Sequence, residues 1–142
     1  MDLRPLSETM FVAPMLQPAD MAALAERGVA AVICNRPDAE VPPDHRAEAF
    51  ERAAEAAGLA FTYNPVAMPN LTRDAVDEQA DAIAAADGPV VAYCASGTRS
   101  AVLWALAEAG ARPTADILEA LAAAGYPMPG LGAQIDALAA DR

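Results

Sequence analysis

A cysteine and an arginine lie close together in the segment Val90–Trp104, and their spacing suits the binding of an anion beside a reactive sulfur. Four residues separate Cys94 from Arg99, and an almost uncharged apolar run ends at the cysteine. The pattern predicts a buried strand, a short loop of small residues and a helix that begins near Arg99. The first N–H groups of a helix lack intrahelical partners and carry the positive end of the helix dipole, so they stabilise a thiolate. The alternative is an inert structural cysteine before an ordinary helix cap.

Cys94 is the predicted nucleophile, and Arg99 is predicted to hold an oxyanion with its planar guanidinium group. Gly97 can adopt backbone angles that other residues avoid, so the loop is expected to curl and to point its amides at the sulfur. The hydroxyl group of Ser100 or Thr98 could donate a hydrogen bond to the same atom. The predicted anion-binding loop consists of Ala95, Ser96, Gly97, Thr98 and Ser100.

A second cysteine, Cys34, ends the apolar run Val29–Cys34, and the predicted sheet places this run beside the Cys94 strand. Cys34 is interpreted either as a resolving cysteine, which forms a disulfide with Cys94 or accepts its sulfur, or as a small core residue. Arg36 and Asp38 follow at the same edge of the sheet. They are interpreted either as residues that steer a substrate or as a structural ion pair at a turn.

Short apolar runs supply the strands that must hold these loops. Runs that are apolar on both faces are typical of a parallel sheet with helices on each side. The predicted strands are 9–13, 29–34, 59–63 and 89–94, with the first of them at an edge of the sheet.

Glycines that follow stretches of good helix formers indicate the helix ends, because glycine adopts the left-handed cap conformation without a Cβ penalty. These glycines are Gly28, Gly58, Gly88, Gly110 and Gly125. The predicted helices are 18–27, 44–57, 72–87, 99–109, 114–124 and 131–140. Thr72 is expected to be the N-cap residue of the third helix. The alternation predicts one α/β domain over residues 1–142, with a central, mostly parallel sheet of about four to five strands flanked by helices.

The composition excludes several classes of function. The chain has 142 residues, of which 20 are acidic and 9 basic, and its formal net charge is -11. A nucleic-acid-binding protein needs a basic face, and an anionic membrane surface would repel this chain, so neither partner is expected. There is no apolar run of membrane-spanning length and no signal-peptide pattern, which predicts a cytoplasmic protein. His45 is the single histidine and has no set of metal ligands around it, so neither a metal nor another cofactor is expected.

The segment Cys94–Ser100 resembles the active-site loops of two families, the cysteine-dependent phosphatases and the rhodaneses. Phosphatases of that type have one residue more between cysteine and arginine, whereas rhodaneses have the same spacing as this chain. The wider sequence resembles the beta-lactamase-hydrolase-like family from about residue 10 to about residue 130. The segments that carry this resemblance, besides the loop, are Phe11–Pro14, Leu24–Gly28, Val32–Asp38 and Ala53–Gly58.

That bacterial family is described as a family of candidate sulfurtransferases, and its domain occurs alone or fused to persulfide-handling enzymes. The resemblance implies a cysteine-phosphatase fold, similar to that of the dual-specificity phosphatases, with a loop of rhodanese length. The position after the cysteine is often arginine in the family, whereas it is Ala95 here.

A second difference from phosphatases concerns the general acid. A phosphatase of this fold would carry an aspartate on the loop Asn64–Thr72 to protonate the leaving oxygen. This loop contains no carboxylate, and the next acidic residue, Asp74, is expected to lie in the first turn of a helix. Sulfur transfer needs no such acid, because sulfite or a thiolate of low basicity leaves readily.

The loop length and the missing acid together favour a sulfurtransferase. In this hypothesis the Cys94 thiolate takes the outer sulfur of a small donor and becomes a persulfide, while Arg99 holds the anionic part of the donor. A thiol, a protein acceptor or cyanide then removes the sulfur. Two alternatives remain: a phosphatase with a phosphocysteine intermediate, acting on an oxyanion substrate, and a non-catalytic redox or anion sensor that uses Cys34 and Cys94.

Overall fold

Five strands form one mixed sheet in the computed structural model, which describes residues 1–142. The strands are β1 (Arg4–Pro5), β2 (Met10–Ala13), β3 (Ala31–Cys34), β4 (Ala60–Tyr63) and β5 (Val90–Tyr93). Their order across the sheet is β1-β2-β5-β3-β4. β1 is antiparallel to β2, and every other neighbouring pair is parallel. Because parallel strands share a direction, the loops after β2, β3, β4 and β5 leave from the same edge of the sheet.

Helices cover both faces of the sheet. They are α1 (Asp20–Glu26), α2 (Ala47–Ala57), α3 (Arg73–Ala85), α4 (Thr98–Ala107), α5 (Thr114–Ala123) and α6 (Gly132–Asp141), with short 3-10 turns at Asp38–Glu40, Pro43–His45 and Pro129–Leu131. Successive side chains of a strand point to opposite faces. Tyr93 of β5 therefore packs with Met21 of α1 and Phe50 of α2, whereas Ala92 belongs to the core that contains Trp104 of α4. None of the helices combines the length and the apolar content needed to cross a bilayer.

The α/β architecture agrees with the sequence prediction, but the predicted position of the first strand is wrong. Segment 9–13 was expected at an edge, whereas β2 lies between β1 and β5. The short strand β1 occupies the edge instead and pairs Arg4 with Val12 and Pro5 with Phe11. Two residues are too few to show the alternation of side chains that is typical of a strand, and one of them is a proline. No sequence signal therefore indicates this strand. A proline is tolerated there because an edge strand can dispense with one N–H group.

The helix ends were predicted well except at Gly88. Thr72 is the N-cap residue of α3, as predicted, and its Oγ1 accepts a hydrogen bond from the Ala75 N–H group at 3.2 Å. α3 nevertheless ends at Ala85, and Gly88 does not adopt a positive φ. Pro89 accounts for Gly88, because a proline drives the residue before it toward extended backbone, but the helix has already ended, since Ala86 is extended. α2 begins at Ala47 rather than 44, since a separate 3-10 turn precedes it.

Candidate active site

Cys94 lies directly after β5, at the carboxyl edge of the sheet, and the loop that follows leads into the first turn of α4. Its side chain is buried, and its Sγ accepts a hydrogen bond from the Gly97 N–H group at 3.1 Å. Of the loop amides expected to donate to the sulfur, only this one does so, because the Thr98 N–H group turns to the Ser96 hydroxyl. The loop therefore curls around the sulfur as expected, but with one amide contact.

Several further N–H groups at the start of α4 remain free for an anion. The first turn of a helix has no intrahelical acceptors for its N–H groups. Here the backbone N–H groups of Ala95, Ser96, Arg99 and Ser100 find no acceptor within the protein. Unpaired donors next to a nucleophilic sulfur are the arrangement that binds an oxyanion or an anionic intermediate.

The tight curl of the loop requires glycine at position 97. Gly97 has a φ of 92°, in the left-handed region, and it precedes α4 as the N-cap residue. A Cβ atom at this position would also overlap the hydroxyl group of Tyr126. That hydroxyl donates a hydrogen bond to the Ser96 carbonyl oxygen at 3.0 Å. Tyr126 lies between α5 and α6, far from the motif in sequence, so the sequence analysis did not identify it.

Arg99 is held in place by an acidic residue that the sequence analysis missed. Its Nη1 and Nη2 atoms donate to the two carboxylate oxygens of Glu40, each at 2.8 Å, and Nη1 also donates to the Val66 carbonyl oxygen at 2.8 Å. A guanidinium group has five N–H donors, so Nε and one N–H of Nη2 remain on a free edge. The predicted oxyanion contact of Arg99 can use this free edge only.

The Arg99–Glu40 pair also determines the charge states of its members. Hydrogen bonds from Arg99, and secondarily from Arg36, hold the pKa of Glu40 below its ordinary value. The hydrogen bonds to Glu40 are the main reason that the pKa of Arg99 is raised, and the nearby Cys94 sulfur contributes in the same direction. Glu40 is therefore ionised at neutral pH and Arg99 carries its full positive charge beside Cys94.

The expected hydroxyl contacts with Cys94 are wrong. Ser100 Oγ donates to Asn35 Oδ1 at 2.8 Å, and Thr98 Oγ1 accepts from Ser96 Oγ at 3.0 Å. The first turn of α4 directs Ser100 into the interior, where it is fully buried, while Thr98 stays at the surface. Neither hydroxyl donates to the sulfur.

A buried network of polar side chains packs against the start of α4, next to the anion-binding loop. Asn35 follows β3, Asn64 follows β4, and Gln79 lies on α3, and all three side chains are buried. Gln79 Oε1 accepts from the Nδ2 groups of both asparagines at 2.9 Å, and Gln79 Nε2 donates to Asn35 Oδ1 at 3.1 Å. Asn35 Oδ1 also accepts from Ser100, so the network reaches α4. An asparagine directly after each of two apolar strands was the available sequence signal.

The residues around Cys34 have structural contacts. Cys34 is 3% exposed within the core, and its Sγ donates to the Arg36 carbonyl oxygen at 3.4 Å. Burial raises the pKa of the Cys34 thiol, which lowers its reactivity at neutral pH. Arg36 pairs with Glu40 at 3.4 Å, not with Asp38 as one interpretation held. Asp38 instead accepts from the Ala47 N–H group at 2.8 Å and so fixes the start of α2.

Comparisons with known proteins agree with this site and fold. The model of the phosphatase-like domain of the beta-lactamase hydrolase-like protein family matches residues 2–111. A beta-lactamase hydrolase-like protein from Xylella fastidiosa is 39% identical over 98 residues, which are 68% of this chain and 23% of the relative. A protein of the same description from Agrobacterium fabrum is 34% identical over 104 residues, 73% of this chain and 24% of the relative. The chain thus spans less than a quarter of the length of these curated relatives.

Solved structures show the same fold. A candidate phosphatase from Neisseria meningitidis is 30% identical, has a TM-score of 0.81, and is matched over 97% of this chain and 99% of its own. P. aeruginosa TpbA, solved in complex with pTyr, has a TM-score of 0.68 at 17% identity, over 99% of this chain and 89% of its own. The predicted cysteine-phosphatase fold is therefore confirmed. With its family match over most of its length, the chain belongs to the phosphatase-like domain of the beta-lactamase hydrolase-like protein family.

Proposed function

We propose that the chain is a cysteine-dependent phosphatase that acts through a covalent phosphocysteine at Cys94. One observation carries the proposal: the Cys94 sulfur accepts the Gly97 N–H group in a loop whose other N–H groups are largely unpaired, and it lies near Arg99, which keeps two free N–H donors. The family and the phosphatase-like neighbours support this function over sulfur transfer, which the sequence alone favoured.

The reaction would proceed in two displacements. The Cys94 thiolate attacks the phosphorus atom of a phosphate monoester, the S–P bond forms, and the ester P–O bond breaks. The N–H groups of the loop and the free edge of Arg99 hold the non-bridging phosphoryl oxygens while charge develops on them. Water then attacks the phosphocysteine, which releases inorganic phosphate and restores the thiolate.

Glu40 supports this reaction as a positioning residue. It occupies two donors of Arg99 and leaves the Nε and Nη2 edge for two oxygens of one phosphoryl group. The guanidinium group of Arg99 loses less conformational freedom on phosphate binding when its orientation is already fixed. Glu40 thereby acts through Arg99 and has no role as a proton donor.

The leaving group must depart without a carboxylic acid from the loop that precedes α3. Residues 64–72 contain no aspartate or glutamate, and Asp74 is exposed in the first turn of α3. A leaving group of low basicity, such as a phenolate with an electron-withdrawing substituent, needs no proton in the transition state. Aryl phosphates of this kind are therefore the expected assay substrates, and alkyl phosphates are expected to react far more slowly.

Sulfur transfer is the second candidate, and the spacing of the loop favours it. Four residues lie between Cys94 and Arg99, which is the rhodanese spacing. With thiosulfate, the Cys94 thiolate would take the outer sulfur and release sulfite. Cyanide would then remove that sulfur as thiocyanate and restore the thiolate.

A paired assay on the reduced protein separates the two candidates. One arm measures phosphate release from an activated aryl phosphate, and the other measures thiocyanate from thiosulfate and cyanide. Cys94→Ser removes the nucleophile, and Cys34→Ser is the matched substitution at the core cysteine. Phosphate release that depends on Cys94 and survives at Cys34→Ser supports the phosphatase. Thiocyanate without phosphate would overturn it in favour of sulfur transfer, and inactivity in both arms would favour the sensor.

A further inference from the structure

One peptide group makes both of the contacts that shape the anion-binding loop. The peptide between Ser96 and Gly97 presents its carbonyl oxygen to the Tyr126 hydroxyl at 3.0 Å. The same peptide presents its N–H group to the Cys94 sulfur at 3.1 Å. Because a trans peptide is planar, its C=O and N–H bonds point in opposite directions. Whatever fixes the carbonyl therefore also fixes the amide that faces the sulfur.

We infer that Tyr126 is a positioning residue that holds the Ser96–Gly97 peptide with its N–H group toward Cys94. The hydrogen bond from the tyrosine also polarises the peptide, which strengthens the amide as a donor to the thiolate. Tyr126 lies beyond the residues 2–111 that the family model matches. The inference rests on the proposed function in one respect, that Cys94 reacts as a thiolate.

Tyr126 is itself well fixed. It is 7% exposed, and the Arg4 guanidinium group lies over its ring at 5.0 Å from the centroid. Burial raises the pKa of Tyr126 above its ordinary value, so the hydroxyl keeps its proton in neutral buffer and remains a donor. A rigid donor of this kind loses little entropy when it holds the Ser96 carbonyl.

The peptide needs such a restraint because Gly97 allows more than one orientation. Glycine populates backbone angles on both sides of φ = 0, so rotation about its bonds could turn the peptide over. The Ser96 carbonyl oxygen would then face the sulfur, and its partial negative charge would oppose the thiolate. In the observed orientation Tyr126 stabilises the opposite arrangement, and its hydroxyl occupies the space next to Gly97.

Tyr126→Phe tests the inference, with Tyr93→Phe as the matched control. Tyr93 is also a buried tyrosine, but its hydroxyl lies beside the Cys34 thiol, whereas that of Tyr126 holds the Ser96 carbonyl oxygen. The first measurement is the rate of Cys94 alkylation by iodoacetamide at neutral pH, resolved by peptide mass spectrometry so that Cys94 is followed separately from Cys34. We expect Tyr126→Phe to slow the reaction at Cys94 about five- to tenfold, the equivalent of one hydrogen bond. Tyr93→Phe should leave the rate unchanged.

The second measurement is the NMR chemical shift of the Gly97 amide proton, which reports the hydrogen bond to the sulfur without any substrate. We expect it to move upfield in Tyr126→Phe and to stay in place in Tyr93→Phe. An unchanged Gly97 resonance together with an unchanged alkylation rate in Tyr126→Phe would overturn the inference. If the native protein releases no phosphate from an activated aryl phosphate, the proposed function fails, and the Gly97 resonance alone then decides the role of Tyr126.

Discussion

At the scale of single residues, anion binding at the site depends on which N–H groups already have an acceptor and which do not. Arg99 uses three N–H groups on Glu40 and Val66, and Gly97 donates to the sulfur. The sequence motif identified the cysteine, the arginine and the glycine, since their types and spacing carry the signal. It could not identify Glu40, because a pairing over 59 residues leaves no local pattern.

Removal of the Glu40 charge should weaken anion binding through Arg99. We expect Glu40→Gln to raise the dissociation constant for inorganic phosphate about tenfold, because Arg99 loses a bidentate partner and its orientation. Glu48→Gln is the control, since Glu48 pairs with Arg52 on the surface of α2 and is distant from the loop in sequence. Isothermal titration calorimetry at neutral pH measures both. Equal affinities in the two variants would contradict a positioning role for Glu40.

The contribution of the Arg99–Glu40 pair to stability depends on pH. The folded-state pKa of Glu40 is lowered, so its contribution to stability is present above the unfolded-state pKa and is lost as the pH falls through the folded-state value. The difference in free energy of unfolding between the native protein and Glu40→Gln should therefore be larger at pH 7 than below about pH 4. Urea denaturation at the two pH values measures it, and a difference that grows on acidification would contradict the assignment.

The steric requirement for glycine at position 97 can be tested by comparison with Gly28, which has no close neighbours. Gly97 and Gly28 have φ values of 92° and 87°, but a Cβ atom at Gly28 would contact nothing within 4 Å. Gly28→Ala should cost about 1–2 kcal/mol of stability for the left-handed backbone alone. Gly97→Ala should cost more, because the new methyl group overlaps Tyr126. Equal losses of stability in chemical denaturation of the two variants would show that Tyr126 does not restrict the space beside position 97.

At the scale of elements, buried polar side chains join the carboxyl ends of β3 and β4 to α3 and α4. The sequence predicts these strands because their apolar runs are continuous, and it predicts the helices because glycines end most of them. It does not predict β1, which is too short, nor the end of α3, which lies three residues before Gly88. The polar network escaped prediction because its members come from four separate elements.

Gln79 is the residue through which that network can be weakened. Gln79→Leu leaves both buried asparagines short of hydrogen-bond partners, so we expect a loss of about 2 kcal/mol in the free energy of unfolding. Gln134→Leu makes the same chemical change at an exposed position of α6 and should cost little. Urea denaturation of the two variants measures the difference. Similar stabilities would mean that the network contributes no net stabilisation.

At the scale of the whole molecule, the net negative charge opposes the approach of the anionic substrate that we propose. The formal net charge is -11, and Glu40 pairs with both Arg99 and Arg36 at the site. In the proposed function, an anionic aryl phosphate is repelled at long range and held at short range. Because salt screens the long-range term more strongly than close contacts, kcat/KM should rise about twofold between roughly 20 and 200 mM ionic strength. A fall over this range would indicate that local positive charge dominates the approach.

The covalent intermediate tests the central claim most directly. The reduced protein is mixed with an activated aryl phosphate, quenched in acid within milliseconds to seconds, and digested for peptide mass spectrometry. The account predicts a phosphoryl group on the peptide that contains Cys94, at a level that rises and falls with turnover, and none in Cys94→Ser. Turnover of the aryl phosphate by Cys94→Ser, or a phosphoryl group on any other residue, would contradict it.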